Sequence, residues 1–300
     1  MTETVESAVV PARRRVLFVG NRSGVFDAAL EFRRLDVDWV WAVAGSALAT
    51  RLAQLGRPYE AFDTNEALRL VAEFERTPFD LLISNGCPIV LPVGRLARPG
   101  RLFVNVHPSP LPDMRGRHPV NGAVLRGRYQ IGATMHFMAE GVDTGRVIAQ
   151  QRIDITEDLD LGLLYHIAFR LEATVFREGM RALEDSGFVL AGAEQSPGGS
   201  YYSRRPDDMT LDLATMDDSE IIRRVRAFGV RTQGAVCRLG DRTIRVFEAR
   251  LVRNSYLLEE FAAVPPGELA LAYDGKLLLR TGQGLMVATS FAFMDRRAED

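Results

Sequence analysis

Apolar residues fall in short blocks through the first two thirds of the chain, and the spacing between them alternates between that of strands and that of helices. Arg15-Val-Leu-Phe-Val-Gly20 is a brief apolar run closed by glycine, the pattern of a buried parallel strand, and Asn21 to Gly24 turns the chain. Val25 to Leu35 carries apolar positions at helical spacing, Trp39 to Ala44 predicts a second strand, and a helix follows near Ala47 to Leu55. Tyr59 to Phe62, Glu66 to Arg76 and Asp80 to Ser84 repeat strand, helix and strand. This alternation predicts an α/β fold, a mostly parallel, Rossmann-like sheet with helices on both faces. Gly20, Asn21 and Gly24 lack the spacing of a dinucleotide fingerprint, so no nucleotide cofactor is read there.

Asn85 to Pro92 is apolar but interrupted by one glycine and two prolines, which predicts a loop whose side chains line a surface and whose backbone groups are free to read a flat ring. Leu102 to His107 is a strand-like run that runs into three prolines within five residues. Pro119 to Leu125 predicts a short helix with proline at its start. Ile131 to Met138 and Val147 to Ile155 predict two strands joined by a loop, and Leu161 to Leu183 predicts a long amphipathic helix. From Ala191 the composition turns to Gly, Ser, Pro and Gln, the signature of a linker. Beyond it, Ser219 to Phe228 predicts a helix. Gly234 to Arg250, Glu268 to Ala272, Lys276 to Arg280 and Leu285 to Ala288 predict short strands of a small β-barrel-like (OB-like) domain. The expected organisation is a flexible tail over 1–12, a catalytic domain over 13–190, a linker over 191–206 and a β-rich domain over 207–300.

Composition narrows the function classes. A hydrophobic fraction of 47% and a charged fraction of 25% are those of a globular protein with a sizeable core. The net charge of −2 supplies no general attraction to nucleic acid or to an anionic membrane. Cys87 and Cys237 are the only cysteines and lie far apart, which suits a reducing cytoplasm and offers no metal framework. The apolar run behind Arg13-Arg14-Arg15 is too short for a signal segment or a membrane span. The expectation is a cytoplasmic protein without membrane, nucleic-acid or metal partners.

The chemistry concentrates on Asn105 and His107. Two positions apart on a strand, they project to the same face. Asp143, in Gly141-Val-Asp-Thr-Gly145, lies on a later loop that can meet them. His136 is read as structural or supporting, and His166 as a surface or packing residue of the long helix. Arg115 either braces its loop or anchors a substrate anion, Ser109 either binds substrate or turns the backbone, and His118 borders the same loop.

The run Asn105-Val-His-Pro-Ser-Pro-Leu-Pro, with Arg115-Gly116, Pro119, Gly132-Ala-Thr-Met-His136, Asp143-Thr-Gly145 and Ile148-x-Gln150, resembles the formyltransferase family over about residues 15–186. Tyr201 to Asp212 and Ile221 to Phe228 resemble, more weakly, the entry to the C-terminal domain of its larger members. The resemblance implies formyl transfer from N10-formyltetrahydrofolate to an amine, without a metal. Asn105, His107 and Asp143 match the family's catalytic trio. Ile89, Val90 and Leu91, with Met138, Ala139, Glu140, Gly141 and Val142, match the segments that hold the pterin, largely by backbone. Ser109, Arg115 and His118 are the candidate substrate contacts.

An amine attacking a formyl group builds negative charge on the carbonyl oxygen and must lose a proton while the leaving nitrogen gains one. An Asn amide and an imidazolium suit the first task, and a group titrating near neutrality suits the second. Asp143 is expected to orient His107 and to favour its charged form. The tRNA-acting relatives carry a basic insertion after the second strand that this chain lacks. The added C-terminal domain disfavours the purine-pathway enzymes. The expected acceptor is a nucleotide-linked amino sugar, with hydroxyornithine or another natural-product amine as the alternative. Methionyl-tRNA, hydrolysis of the donor and a non-catalytic binding role rank behind these. Tyr201, Tyr202, Arg204 and Arg205 are read as docking contacts ahead of nucleotide ligands, and the resemblance also implies a possible homodimer.

Overall fold

The computed structural model describes residues 13–294, so the tail expected over 1–12 lies outside the described residues. Two compact units are present. The first takes 13–115, Gly132–Gln151 and Phe169–Gly199, and the second takes Gly116–Ile131, Arg152–Ala168 and 200–294.

Seven strands form the main sheet: β1 (Arg14–Gly20), β2 (Leu35–Val43), β3 (Glu60–Phe62), β4 (Leu81–Asn85), β5 (Leu102–His107), β6 (Gln130–Phe137) and β7 (Val147–Asp154). Their order is β3-β2-β1-β4-β5-β6-β7. Every pairing from β3 to β5 is parallel, and β6 runs antiparallel to β5. Helices α1 (Gly24–Ala29), α2 (Ala47–Gln54), α3 (Ala67–Arg76), α4 (Val93–Leu96), α5 (Pro119–Leu125) and α6 (Leu161–Asp185) follow the expected alternation.

Successive strand residues point to opposite faces, so one apolar run feeds two cores. Val16 and Phe18, Leu81 and Ile83, and Val104 and Val106 pack with α1, α2 and the C-terminal half of α6. Leu17, Val19, Leu82 and Phe103 pack on the other side with Leu70, Val71 and Phe74 of α3. Each fully buried Leu or Phe here contributes about 1.5–3 kcal/mol relative to exposure. On β5, Asn105 and His107 alternate with Val104 and Val106 and therefore share the face of Phe103.

Two expectations shift. The helix predicted from Val25 to Leu35 ends at Ala29, and β2 starts at Leu35. Leu35 and Val37 are buried while Asp38 is exposed, a period-two pattern that the helical reading absorbed. The single strand expected over Gly234 to Arg250 is a hairpin, turned at Gly240 in the left-handed region (φ +58°).

The second unit holds a five-stranded antiparallel sheet of β8 (Ala235–Leu239), β9 (Arg242–Val252), β10 (Leu269–Tyr273), β11 (Lys276–Arg280) and β12 (Leu285–Met294), ordered β10-β11-β12-β9-β8. Helices α7 (Pro206–Met209), α8 (Asp218–Phe228) and α9 (Ser255–Glu260) accompany it. Asp217 caps α8 by accepting from the Ser219 amide, and Ile221 and Val225 bury its apolar face against Ala235, Val246 and Met286. Asn121 of α5 is fully buried: its Nδ2 donates to the Ala227 carbonyl at 2.7 Å and to Gln233 Oε1 at 2.8 Å, and its Oδ1 accepts from the Tyr165 hydroxyl at 2.6 Å. All of its polar capacity on those groups is met, which a buried amide requires. Tyr202 is buried and donates its hydroxyl to Asp208 at 3.0 Å, the docking role expected of it. No described helix is long and apolar enough to cross a membrane.

Candidate active site

The parallel strands end along one edge, and β5 carries Asn105 and His107 to it. The antiparallel register sets Asn105 opposite His136 and His107 opposite Thr134. Asp143 arrives from the loop between β6 and β7. That loop stays close to β6 because Gly145 has no side chain: a β-carbon there would stand 1.8 Å from the Phe137 carbonyl oxygen. Asp143 itself sits in the left-handed region at φ 54°, a conformation that costs a non-glycine residue energy and must be held by its surroundings.

The four polar side chains meet at hydrogen-bonding or near-bonding distance. Asn105 Nδ2 donates to Asp143 Oδ1 at 3.2 Å and lies 3.1 Å from His136 Nε2. His136 Nδ1 lies 2.7 Å from the Phe137 carbonyl, an acceptor, so its hydrogen is on Nδ1 and Nε2 accepts from Asn105. His107 Nε2 donates to the Met114 carbonyl at 2.9 Å, and its Nδ1 faces Asp143 Oδ2 at 3.6 Å. Met114 is buried with φ 55°, so a second strained residue aims the carbonyl that fixes the His107 tautomer. Burial pushes the His107 imidazole below its ordinary value, and Asp143 opposes that push. The expectation that the carboxylate would dominate is corrected here: a ring only 6% exposed loses more by desolvation than one neighbouring charge restores.

The loop after β5 is braced throughout. Ser109 is buried, and its hydroxyl donates to the Asp113 carbonyl at 2.7 Å. That bond turns the backbone of the loop. Thr134 donates to the Ser109 carbonyl and Gln150 to the Leu111 carbonyl. Arg115 donates to Gln195 Oε1 at 2.6 Å, and Gln195 Nε2 donates to the Asp143 and Gly145 carbonyls at 2.9 and 2.7 Å. Ala193 forms a bridge with Val147, so part of the stretch read as linker is the support of the Asp143 loop. Its Gly, Ser and Pro composition conceals that role. His118 belongs to the second unit, where its Nδ1 accepts from the Arg204 amide at 3.2 Å, and His166 is exposed on α6.

The segments expected to hold a pterin lie together. Ile89 and Leu91 are buried in the second core cluster, with Met138 packed against it, and Val90 is 69% exposed. Ala139, Glu140, Gly141 and Val142 are exposed, and Glu140 lies against Gly94 at the start of α4. An apolar floor beside exposed backbone suits a flat ring recognised through main-chain groups.

The formyl transferase family model matches residues 54–178, and the formyl transferase C-terminal domain matches 204–300. Methionyl-tRNA formyltransferase of Xanthomonas euvesicatoria is 30% identical over 223 residues, 74% of this chain and 69% of that one. The chain belongs to the formyl transferase family. HypX from Aquifex aeolicus in complex with tetrahydrofolic acid shares the fold with a TM-score of 0.63 at 17% identity, over 96% of this chain and 45% of that one. A sugar N-formyltransferase from a Shewanella species superposes with a TM-score of 0.63 at 19% identity, over 80% of this chain and 99% of that one. The chain spans 66–69% of the length of the methionyl-tRNA formyltransferases it matches.

His136 takes a supporting place, as read from the sequence: it stands on the strand that pairs with β5, opposite Asn105, with Nε2 3.1 Å from the Asn105 amide nitrogen. Among the described residues no group of three or more His, Cys, Asp or Glu side chains is arranged to hold a metal ion.

Proposed function

We propose that this chain moves a formyl group from N10-formyltetrahydrofolate to the amine of a small metabolite, with His107 as the proton-transferring base and Asp143 as its charge partner. The observation that carries this reading is the His107 ring, held by the Met114 carbonyl so that Nδ1 alone faces Asp143 at 3.6 Å. Bound N10-formyltetrahydrofolate supplies an electrophilic carbon and a leaving nitrogen. The apolar floor of Ile89 and Leu91 and the exposed backbone of Ala139 to Val142 would hold it. His107 Nδ1, neutral because the ring is buried, takes a proton from the acceptor amine as the new bond to nitrogen forms. The imidazolium so created is stabilised by Asp143 and returns that proton to the leaving nitrogen, so no proton is gained or lost overall. Asn105 Nδ2, within bonding distance of Asp143 and His136, ties those two side chains together, and its amide is the group proposed to meet the developing oxyanion.

A nucleotide-linked amino sugar is the acceptor we favour. Between β2 and α2 the chain turns in Ala44-Gly45-Ser46, without room for a basic insertion, and the net charge is −2, so grip on a tRNA phosphate backbone has no evident source. The fold shared with sugar N-formyltransferases supports the same choice. Methionyl-tRNA is the second reading, favoured by the identity to methionyl-tRNA formyltransferases. A panel of nucleotide amino sugars, hydroxyornithine and methionyl-tRNA, each mixed with N10-formyltetrahydrofolate and followed by tetrahydrofolate release, tests both. Release with the amino sugars alone supports the first reading, release with methionyl-tRNA replaces it with the second, and release without any amine replaces both with hydrolysis.

A further inference from the structure

The parallel strands start along the edge opposite the one that carries His107, and a basic pocket opens there. Arg14 begins β1, Arg34 precedes β2 and Asp80 precedes β4, with Arg14 in register with Leu35 and Val16 with Leu81. The pocket measures about 380 Å³ and is lined by Arg13, Arg14, Arg34, Asp80, Gly187 and Phe188, all in the first unit. The seven residues of β1 span about 20 Å between the two edges, so a small molecule seated here does not reach His107.

Phe188 is the anchor of the pocket. It follows α6, where Gly187 and Phe188 both take left-handed backbone (φ 65° and 66°), and its amide closes the helix by donating to the Leu183 carbonyl at 2.7 Å. Two guanidiniums lie over the buried ring, that of Arg14 at 4.7 Å and that of Arg34 at 5.7 Å from the centroid. Stacking holds both groups in place and leaves their N–H edges to find acceptors.

The acids at the pocket do not supply them. Asp36 pairs with Arg13 at 2.7 Å, and Asp80 is taken by Arg15, which donates to it from Nε, Nη2 and the backbone amide at 2.9–3.2 Å. Among the described residues neither Arg14 nor Arg34 forms an ion pair. Arg14 Nη1 reaches the Gly100 carbonyl at 3.5 Å, and Arg34 Nη1 donates to the Glu184 carbonyl at 3.3 Å. Arg34 Nε is buried without a partner, and so is Oε1 of the Glu184 side chain, which leaves Arg34 unanswered. Two like charges over one ring repel, and a buried charged donor without an acceptor is costly. One anion in the pocket relieves both.

We infer that this pocket is a second binding site, for a phosphate group held between the Arg14 and Arg34 guanidiniums and separate from the formyl-transfer site. A phosphate dianion matches two cations, and its terminal oxygens accept from planar forks that arrive from two different strands. The volume is in the range of small-molecule sites, so the group is carried either by a free polyphosphate or by a small phosphate ester. The inference is independent of the role given to His107.

Calorimetric titration of the full chain with pyrophosphate and with AMP, at an ionic strength held constant with chloride, tests it. Saturable binding is expected, weakened about 10-fold or more by Arg14→Gln and kept within about 2-fold by Arg253→Gln, an exposed position of the second unit. Arg14-dependent binding of pyrophosphate alone assigns the site to free polyphosphates, and Arg14-dependent binding of AMP assigns it to phosphate esters. No binding beyond the chloride control, or equal affinity in Arg14→Gln and the unaltered protein, overturns the proposal. If Arg14→Gln does not fold, phenylglyoxal labelling of the unaltered protein, mapped by mass spectrometry, decides instead. Protection of Arg14 by pyrophosphate, with Arg253 labelled as before, supports the site, and labelling of Arg14 at the same rate with and without pyrophosphate refutes it.

Discussion

The two loops that meet at the site differ in how much of their own bonding holds them. The loop after β5 is bonded from within, by Ser109 to its own turn and by His107 to the Met114 carbonyl, and is further braced by Thr134 and Gln150 of the adjoining strands. The loop after β6 is exposed over Ala139 to Val142, and inside it Thr144 bonds back to Gly141. Asp143 is held in a costly backbone conformation by Gln195, 52 residues further along. The proposed base, His107, is fixed through its own well-braced loop, whereas its carboxylate partner Asp143 depends on the segment around Gln195. Damage to the first loop should act on the chemical step, and damage to the second on geometry.

Four substitutions sharpen that contrast. His107→Ala should lower kcat/KM about 1,000-fold, within the range that one acid–base group contributes, with donor binding by fluorescence nearly unchanged. Retention of most activity would remove His107 from the mechanism. Asp143→Asn should cost about 100-fold and alter the pH profile. Asp143 holds His107 up, so without it the folded ring titrates lower still and the acidic limb of kcat/KM moves to lower pH. A limb that moves upward would break the pairing of the two residues. Gln195→Ala touches neither reacting group and should reduce kcat about 10-fold, the scale of a modest misplacement, with KM for the donor changing less. Arg115→Ala should follow it in the same direction by a smaller factor. If Gln195→Ala matches wild type, the β6–β7 loop holds Asp143 unaided and the distinction between the two loops fails.

Much of this was legible in the residues. Apolar alternation on β1, β4 and β5 exposed the sheet, and the two-residue spacing of Asn105 and His107 exposed the face they share. Pro119, in the first turn of α5, marked that helix. Period alone failed between Val25 and Leu35, where an amphipathic strand start and a helix end read alike. It failed again at Gly240, where alternation runs through Arg238 and Arg242 on both sides of the two-residue Gly240-Asp241 turn and does not mark the reversal. The role of Gln195 could not be read locally, because a side chain bonding two carbonyls 50 and 52 residues away leaves no periodic trace. The direction of the His107 shift also lay beyond the sequence, since it depends on how completely the ring is buried.

Asn121 has a consequence for how such a chain can be divided or recombined. Its amide is satisfied only when Ala227 and Gln233, more than 100 residues later, are present. The second unit also draws Gly116–Ile131 and Arg152–Ala168 from the middle of the chain. No single crossover point separates the units as cassettes: a splice after α6 would hand a foreign C-terminal half an α5 whose buried amide expects this one. The two halves of the sequence are bound to be inherited, exchanged and engineered together.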